Sequence, residues 1–326
     1  MNMLVCVWFA VVIVVLTRSP WDGPYMPLGK LSRNPEMADS LTVNDIFQDP
    51  EIDVIDRRMI RQLDVIGTGT NATVYKSAFN KNTVAVKVFH LALKEMTKGQ
   101  VASVAREIKL MASLQHPNIV RMFGVILTSE EQLGIVTEYV ELGSLTEVLK
   151  QMHRDMLWTV RLRMALDVAR AMSFLHSNNV LHRDLKNANV MVTKTLQCKI
   201  GDLGLAQFIG LDNSSQSVVG TLEYVAPEVL AGGKYTFQAD VYSFGVVFYG
   251  LATGHAPYTE CSLEADEMCK AIISGRLAIR LSPKCPKPVA ELIMSCTSHD
   301  PNSRPSFIDV ERRIEALRST SFTLSE

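Results

Sequence analysis

His182-Arg-Asp-Leu-Lys-Asn-Ala-Asn-Val190 decides how the chain is read. A carboxylate, two cations and an amide able to bind Mg²⁺ stand together in this stretch. It follows Val180-Leu181 and precedes Val190-Met-Val192, so it reads as a loop between two short strands that presents these side chains side by side. Ile200-Gly-Asp-Leu-Gly-Leu-Ala206 comes next, with a second isolated carboxylate, Asp202, again after a short strand. Asp202 and Asn189 offer hard oxygen ligands of the kind that suit Mg²⁺ carrying a polyphosphate. Asp184 is then free to orient an attacking hydroxyl and accept its proton. Lys186 can neutralise charge on the group in transfer. Caps and turns explain any one of these residues, but not their joint order.

Upstream the chain is strand-rich. Leu63-Asp-Val-Ile-Gly67 and Ala72-Thr-Val-Tyr-Lys76 flank a glycine turn, and Thr83-Val-Ala-Val-Lys-Val88 is a β-branched strand. The turn, Gly67-Thr-Gly-Thr-Asn-Ala-Thr-Val74, lets backbone N–H groups lie against phosphate oxygens, although a plain hairpin turn reads the same way. It is no dinucleotide fingerprint, since no helix follows, and no P-loop, since no Gly-Lys-Ser/Thr occurs there. Alternation puts Lys87 on the face that carries Ala85 and Phe89. By itself it would pass for a solvent-facing lysine. Val101, Val104, Ile108 and Met111 mark a helix face, and Glu107 lies on that face. A carboxylate pointing inward needs a partner, and Lys87 would supply it while aiming its ammonium at phosphate.

Leu133-Gly-Ile-Val-Thr-Glu-Tyr-Val140 reads as a further strand. Beyond it, Thr159 to His176 has apolar residues at helical spacing. Further helices are expected over Asp240 to Gly254, Leu263 to Ser274, Val289 to Ser298 and Phe307 to Leu317. A strand-rich part followed by a helix-rich part gives an α+β, two-lobed domain with a ligand cleft between the lobes.

From about Met59 to Leu317 the sequence resembles the eukaryotic protein kinases. The resemblance implies a bilobal fold, with a β-rich lobe over about 59–138 and a mainly helical lobe over about 143–318. It implies ATP and Mg²⁺ as cofactors and protein substrates as partners. It gives Ile66, Gly67, Thr68, Gly69, Val74, Ala85 and Lys87 to the nucleotide, with Thr137 as gatekeeper and Glu138 to Val140 as the adenine-binding hinge. It makes Lys87 and Glu107 a pair, Asp184 the base, Lys186 its helper, and Asn189 and Asp202 the metal ligands. Downstream, Ala226-Pro-Glu closes the activation segment, Glu228 pairs with Arg304, and Asp240 braces the catalytic loop. Two residues depart from the pattern. Ala72 stands for the third loop glycine, a small change. Leu203 stands for the usual phenylalanine after Asp202, which leaves open how the segment packs. A scaffold with this fold but little turnover is the main rival. Lys87, Asp184 and Asp202 are all present, which speaks against it.

Lys186 and Gly220-Thr221-Leu-Glu-Tyr-Val-Ala-Pro-Glu228 resemble serine/threonine kinases, and Thr221 is expected to hydrogen-bond near Asp184 and Lys186. Ile135-Val-Thr-Glu-Tyr-Val140, Gly143-Ser-Leu and Asp240-Val-Tyr-Ser-Phe-Gly look tyrosine-kinase-like. The mixture resembles the tyrosine-kinase-like (TKL) group, whose members mostly modify serine and threonine; a tyrosine or dual-specificity enzyme is the alternative. Arg183 is a cation that wants an anion, and a phosphate on Ser214, Ser215 or Ser217, added by an upstream kinase, would provide one. Serines that merely solvate a mobile loop are the plainer reading.

The chain has 326 residues, with 47% apolar and 21% charged residues, an ordinary globular composition. A net charge of -1 gives no global sign of a nucleic-acid partner. The six cysteines form no CxxC pair, as expected for reduced thiols in a reducing compartment. Met1 to Thr17 carries no charge. As a helix it would span about 25 Å at ~1.5 Å per residue, close to a bilayer core of about 30 Å. Arg18 on its far flank would keep the catalytic domain in the cytosol. A membrane anchor is the expectation, with a signal peptide or a buried helix as alternatives. Residues 18–58, punctuated by Pro20, Pro24, Pro27, Pro35 and Pro50, read as a juxtamembrane linker, and 319–326 as a polar tail.

Overall fold

The computed structural model describes residues 46–208, 221–259 and 261–319. The membrane-anchor segment, most of the linker, Ser214, Ser215, Ser217 and nearly all of the tail lie outside them. Among the described residues no helix is long and apolar enough to cross a membrane.

Strands β1 (Arg61–Thr68), β2 (Ala72–Phe79), β3 (Asn82–Ala92), β4 (Met122–Leu127) and β5 (Gln132–Glu138) form an antiparallel sheet in the order β1-β2-β3-β5-β4. Alternation in β3 sends Val84 and Val86 into a small apolar cluster with Ile60, Ile126 and Val136, and Lys87 to the other face. The register sets Lys87 opposite Val74 on one side and Ile135 on the other. Helix α1 (Lys98–Ser113) starts at Thr97, whose hydroxyl accepts from Gln100 N while Gln100 Oε1 accepts from Thr97 N. This reciprocal cap satisfies two donors that the first turn leaves free.

The second lobe contains α2 (Leu145–Met152), α3 (Trp158–Ser177), α4 (Pro227–Leu230), α5 (Phe237–Thr253), α6 (Ala265–Ile273), α7 (Lys287–Cys296) and α8 (Phe307–Ser319). Every residue of α5 from Ala239 to Ala252 is buried, so this helix is the axis of the lobe rather than one of its surfaces. Short strands line the cleft: β6 (Val180–Leu181) pairs with β9 (Gln207–Phe208), and β7 (Val190–Val192) with β8 (Cys198–Ile200).

The lobes are joined at the rear by more than the chain crossing at 139–143. Val120 N donates to Ile200 O at 2.8 Å and Ile200 N to Asn118 O at 2.8 Å. Asn118 Nδ2 donates to Cys198 O at 2.9 Å, and Lys199 Nζ meets Glu138 Oε1 at 2.8 Å.

Asp167 of α3 sits beneath this seam and accepts from Cys198 N at 2.9 Å. Burial pushes its carboxyl up from the ordinary 3.8 to about 6. The protonated form is therefore favoured on folding. The stability this contributes is present below about pH 4 and lost as pH rises through about 6, at most ~3 kcal/mol. Asp167→Asn keeps a carbonyl acceptor for Cys198 and removes the titration. In urea unfolding the variant should gain on the wild type between pH 5 and 7.5; an unchanged difference across that range would contradict this account.

Three expectations need correction. The linker does not run to residue 58. Ile46, Ile52 and Ile55 are buried, and Val125 N donates to Asp53 O while Ile55 N donates to Val125 O, both at 2.8 Å. The prolines drew attention from the isoleucines, which pair this segment with the sheet edge. Strand β5 stops at Glu138, two residues short of Val140, with Glu138 N donating to Arg121 O as its last bond to the β4 side. Helix α5 begins at Phe237, a turn before Asp240, so that the Asp240 carboxylate projects from the first turn.

Candidate active site

The catalytic loop leaves β6 and is held by one buried carboxylate. Asp240 accepts from His182 N at 2.9 Å, Arg183 N at 3.1 Å and Tyr235 Oη at 2.7 Å, and His176 Nε2 lies 2.9 Å away. Burial opposes its charge, but the hydrogen bond and charge of His176 outweigh it and hold the carboxyl below the ordinary range. Burial also drives the Tyr235 hydroxyl well up, which keeps it a donor. These bonds have a purpose. Arg183 has φ 68°, a left-handed conformation that costs of order 1–3 kcal/mol for a non-glycine residue. Asp240 fixes it there, and the loop turns so that Asp184 faces the cleft.

Lys186 Nζ is 2.7 Å from Asp184 Oδ2, and Asn189 Nδ2 donates to the same oxygen at 2.9 Å and to Asp184 O at 2.8 Å. Both side-chain contacts fall on Oδ2, so Oδ1 is the oxygen left for an incoming hydroxyl. Asn189 spends its amide nitrogen on Asp184, which leaves its amide oxygen for a cation. Asn189 O accepts from Gly201 N at 2.8 Å, and this bond sets Asn189 next to Asp202. Asp202 itself has φ 51°. Its neighbour Leu203 is buried in the main core, so leucine packs inward where the phenylalanine was expected.

Across the cleft, Lys87 Nζ is 2.8 Å from Glu107 Oε1 and 3.5 Å from Asp202 Oδ1. Burial works against the ammonium, but the carboxylates of Glu107 and Asp202 more than offset it and hold Lys87 above the ordinary lysine range. Burial pushes the Glu107 carboxyl up, and Lys87 draws it back. A Cβ on Gly204 would stand 3.2 Å from Asp202 Oδ1 and 3.3 Å from Glu107 Oε2, so glycine here spares both carboxylates a tight contact.

The glycine turn over the cleft is a true hairpin, with Gly69 N donating to Ala72 O at 2.9 Å. Thr68 and Gly69 are exposed at its tip and Ile66 is exposed on β1, while Val74 and Ala85 lie half-buried. Thr137 Oγ1 reaches Ala85 O at 3.5 Å, and Val140 is buried. The Glu138 side chain is engaged elsewhere, accepting from Arg121 N at 2.7 Å and pairing with Lys199, and its N–H donates to Arg121 O, so neither is left for a base.

Sequence reasoning missed several supports. His90 Nδ1 lies 3.2 Å from Thr70 O and its Nε2 lies 3.0 Å from Thr73 Oγ1, which props the turn. His176 and Tyr235 were not assigned to Asp240. Arg183 meets a neutral partner, donating to Gln207 Oε1 and lying over the Tyr235 ring. The expected bond from Thr221 to Asp184 or Lys186 is not formed among the described residues. Thr221 is exposed, its carbonyl accepts from Tyr224 N, and Lys186 is already committed to Asp184. Glu228 and Arg304 do meet, in two parallel bonds of 2.7 and 2.8 Å.

Among the described residues, no three or more His, Cys, Asp or Glu side chains are grouped to hold a metal by themselves. One carboxylate and one amide oxygen instead fit a magnesium ion that completes its shell with nucleotide phosphates and water.

A two-lobed domain with a lysine, a metal-directed pair and a hydroxyl-directed carboxylate around one cleft defines the protein kinases as a class. A model of the protein tyrosine and serine/threonine kinase family matches residues 60–314, and the chain belongs to that family. It is 32% identical over 259 residues to the probable serine/threonine-protein kinase kinX of Dictyostelium discoideum, covering 78% of this chain and 23% of that one. It is 32% identical over 265 residues to the serine/threonine-protein kinase VIK of Arabidopsis thaliana, covering 78% and 59%. To the dual specificity protein kinase shkE of Dictyostelium discoideum it is 35% identical over 283 residues, covering 84% and 39%. The chain thus spans less than two thirds of the length of each of these relatives.

Proposed function

We propose that the protein transfers the γ-phosphoryl group of ATP to serine or threonine hydroxyls of protein substrates. The observation that carries this reading is Asp184: Lys186 and Asn189 both occupy Oδ2, and Oδ1 remains to receive the hydroxyl proton. The hydroxyl oxygen forms a bond to the γ-phosphorus, the bond from that phosphorus to the bridging oxygen breaks, and ADP leaves. Lys87, fixed by Glu107, contacts the phosphates, and Lys186 offsets charge on the moving group. Asp202 and Asn189 would hold Mg²⁺, which supplies charge neutralisation at the phosphates.

Serine and threonine are favoured over tyrosine by Lys186 and by the names of kinX and VIK. The tyrosine-kinase-like group fits the mixed motifs. The name of shkE supports dual specificity as the second reading. Activation by an upstream kinase at Ser214, Ser215 or Ser217, anchoring through residues 1–17 and a role in signal transduction belong to the same proposal. Incubation of full-length protein with magnesium, γ-labelled ATP and a generic protein, followed by phosphoamino-acid analysis and peptide mapping, tests it. Labelled serine and threonine are expected, with loss in Asp202→Ala. Equal labelling by wild type and Asp202→Ala would remove the assignment, and labelled tyrosine would favour the second reading.

A further inference from the structure

Residues 46–55 lie against the domain as a strap. Its first contact is with the helix that carries Glu107. Ile46 and Ile52 are 1% and 6% exposed and sit in the main apolar core, which seats the strap. Between them, Asp49 Oδ2 lies 3.5 Å from Lys109 Nζ, and the two side chains are 23% and 28% exposed. Its second contact is with the sheet edge, through the two backbone bonds between Val125 and the pair Asp53 and Ile55. Gly124 permits this seat: its φ is 155°, and a Cβ there would overlap the Asp53 carbonyl oxygen.

The helix geometry gives these contacts a direction. Residues two apart on an α-helix point about 200° apart, so Lys109 faces the back of α1 when Glu107 faces the cleft. Helix α1 is therefore gripped on opposite faces, by Lys87 in front and by the strap behind. The front grip is conditional: an ion pair between Lys87 and Glu107 forms only if the helix stands at the right distance and rotation.

We propose that residues 46–55 are a positioning element for phosphoryl transfer, with Asp49 and Lys109 setting the rotation of α1 that lets Glu107 hold Lys87. This rests on the kinase reading given above. The strap touches neither nucleotide nor substrate. It acts through α1 alone, and its loss weakens the chemical step without altering the protein-substrate groove.

The test uses the full chain and a charge swap. Asp49→Lys sets two ammonium groups against each other behind α1. It is expected to lower kcat about three- to tenfold, leave KM for the protein substrate within about twofold, and speed amide exchange across residues 98–113 while α7 exchanges as before. Asp49→Lys combined with Lys109→Asp restores the pair in reverse and should return both kcat and exchange to near wild type. A rescue of this kind separates positioning from simple destabilisation. Wild-type kcat and exchange in Asp49→Lys, or a loss that the swap does not repair, overturns the proposal. If the wild type transfers no phosphate, the kinase reading falls, and the exchange of α1 in the two variants still decides whether the strap sets the helix.

Discussion

Asp184→Ala is expected to lower kcat by about 10²–10⁴-fold, the range that a positioned general base contributes. The fold and the affinity for ATP should survive, because the nucleotide side of the cleft is built by Lys87, Glu107 and Asp202. The carboxylate is more than a proton acceptor here. It also receives Lys186 and Asn189 on Oδ2, so its removal frees a lysine and an amide in the path of the phosphoryl group. Asp184→Asn keeps the outline of the side chain and should be impaired nearly as much if the charge is what matters. Single-turnover kinetics together with nucleotide titration would separate the two steps. A kcat within threefold of wild type in both variants would strip Asp184 of its role.

Arg304→Ala should destabilise the domain by about 3–5 kcal/mol, the cost of breaking a buried ion pair from one side. The Arg304 side chain is fully buried and Glu228 is only 22% exposed. Besides its two bonds to Glu228, the guanidinium donates from Nε to Ser298 O and from Nη1 to Gln238 O, and it lies over the Tyr242 ring. Alanine removes these donors and leaves the Glu228 carboxylate without a counter-charge. The midpoint of urea unfolding should fall accordingly. Glu228→Gln, which retains an acceptor, should cost less than Arg304→Ala. A reversed order would mean that Arg304 matters chiefly through Glu228.

What could be read from the sequence was what lies close together along it. Asp184, Lys186 and Asn189 share one loop, and residue type and spacing suffice to suggest their chemistry. Lys87 and Glu107 required two periodicities, that of a strand and that of a helix, and both placed the side chains correctly. Glu228 and Arg304 are far apart in the chain, and only resemblance to a family joined them. The misses have a common cause. His176 and Tyr235 belong to segments where a histidine or tyrosine is unremarked; the packing of α3 on α5 brings His176 to Asp240, and the turn into α5 brings Tyr235 there. Thr221 was placed by analogy alone, and the geometry left its hydroxyl in the open. The strap was hidden by Pro50 and the proline-punctuated stretch before it, although Ile46, Ile52 and Ile55 carry the signal that its burial explains.

The bonds that tie Asn118, Val120 and Glu138 to Cys198, Lys199 and Ile200 also determine how the protein can breathe. They clamp the rear rim of the cleft, so any opening of the upper lobe would hinge there, like a door hung on its back post. The tip of the glycine hairpin lies at the free edge and would sweep the widest arc. If nucleotide sits beneath the hairpin as proposed, lifting that edge would release it, and the give in the hairpin and its His90 prop would set the pace.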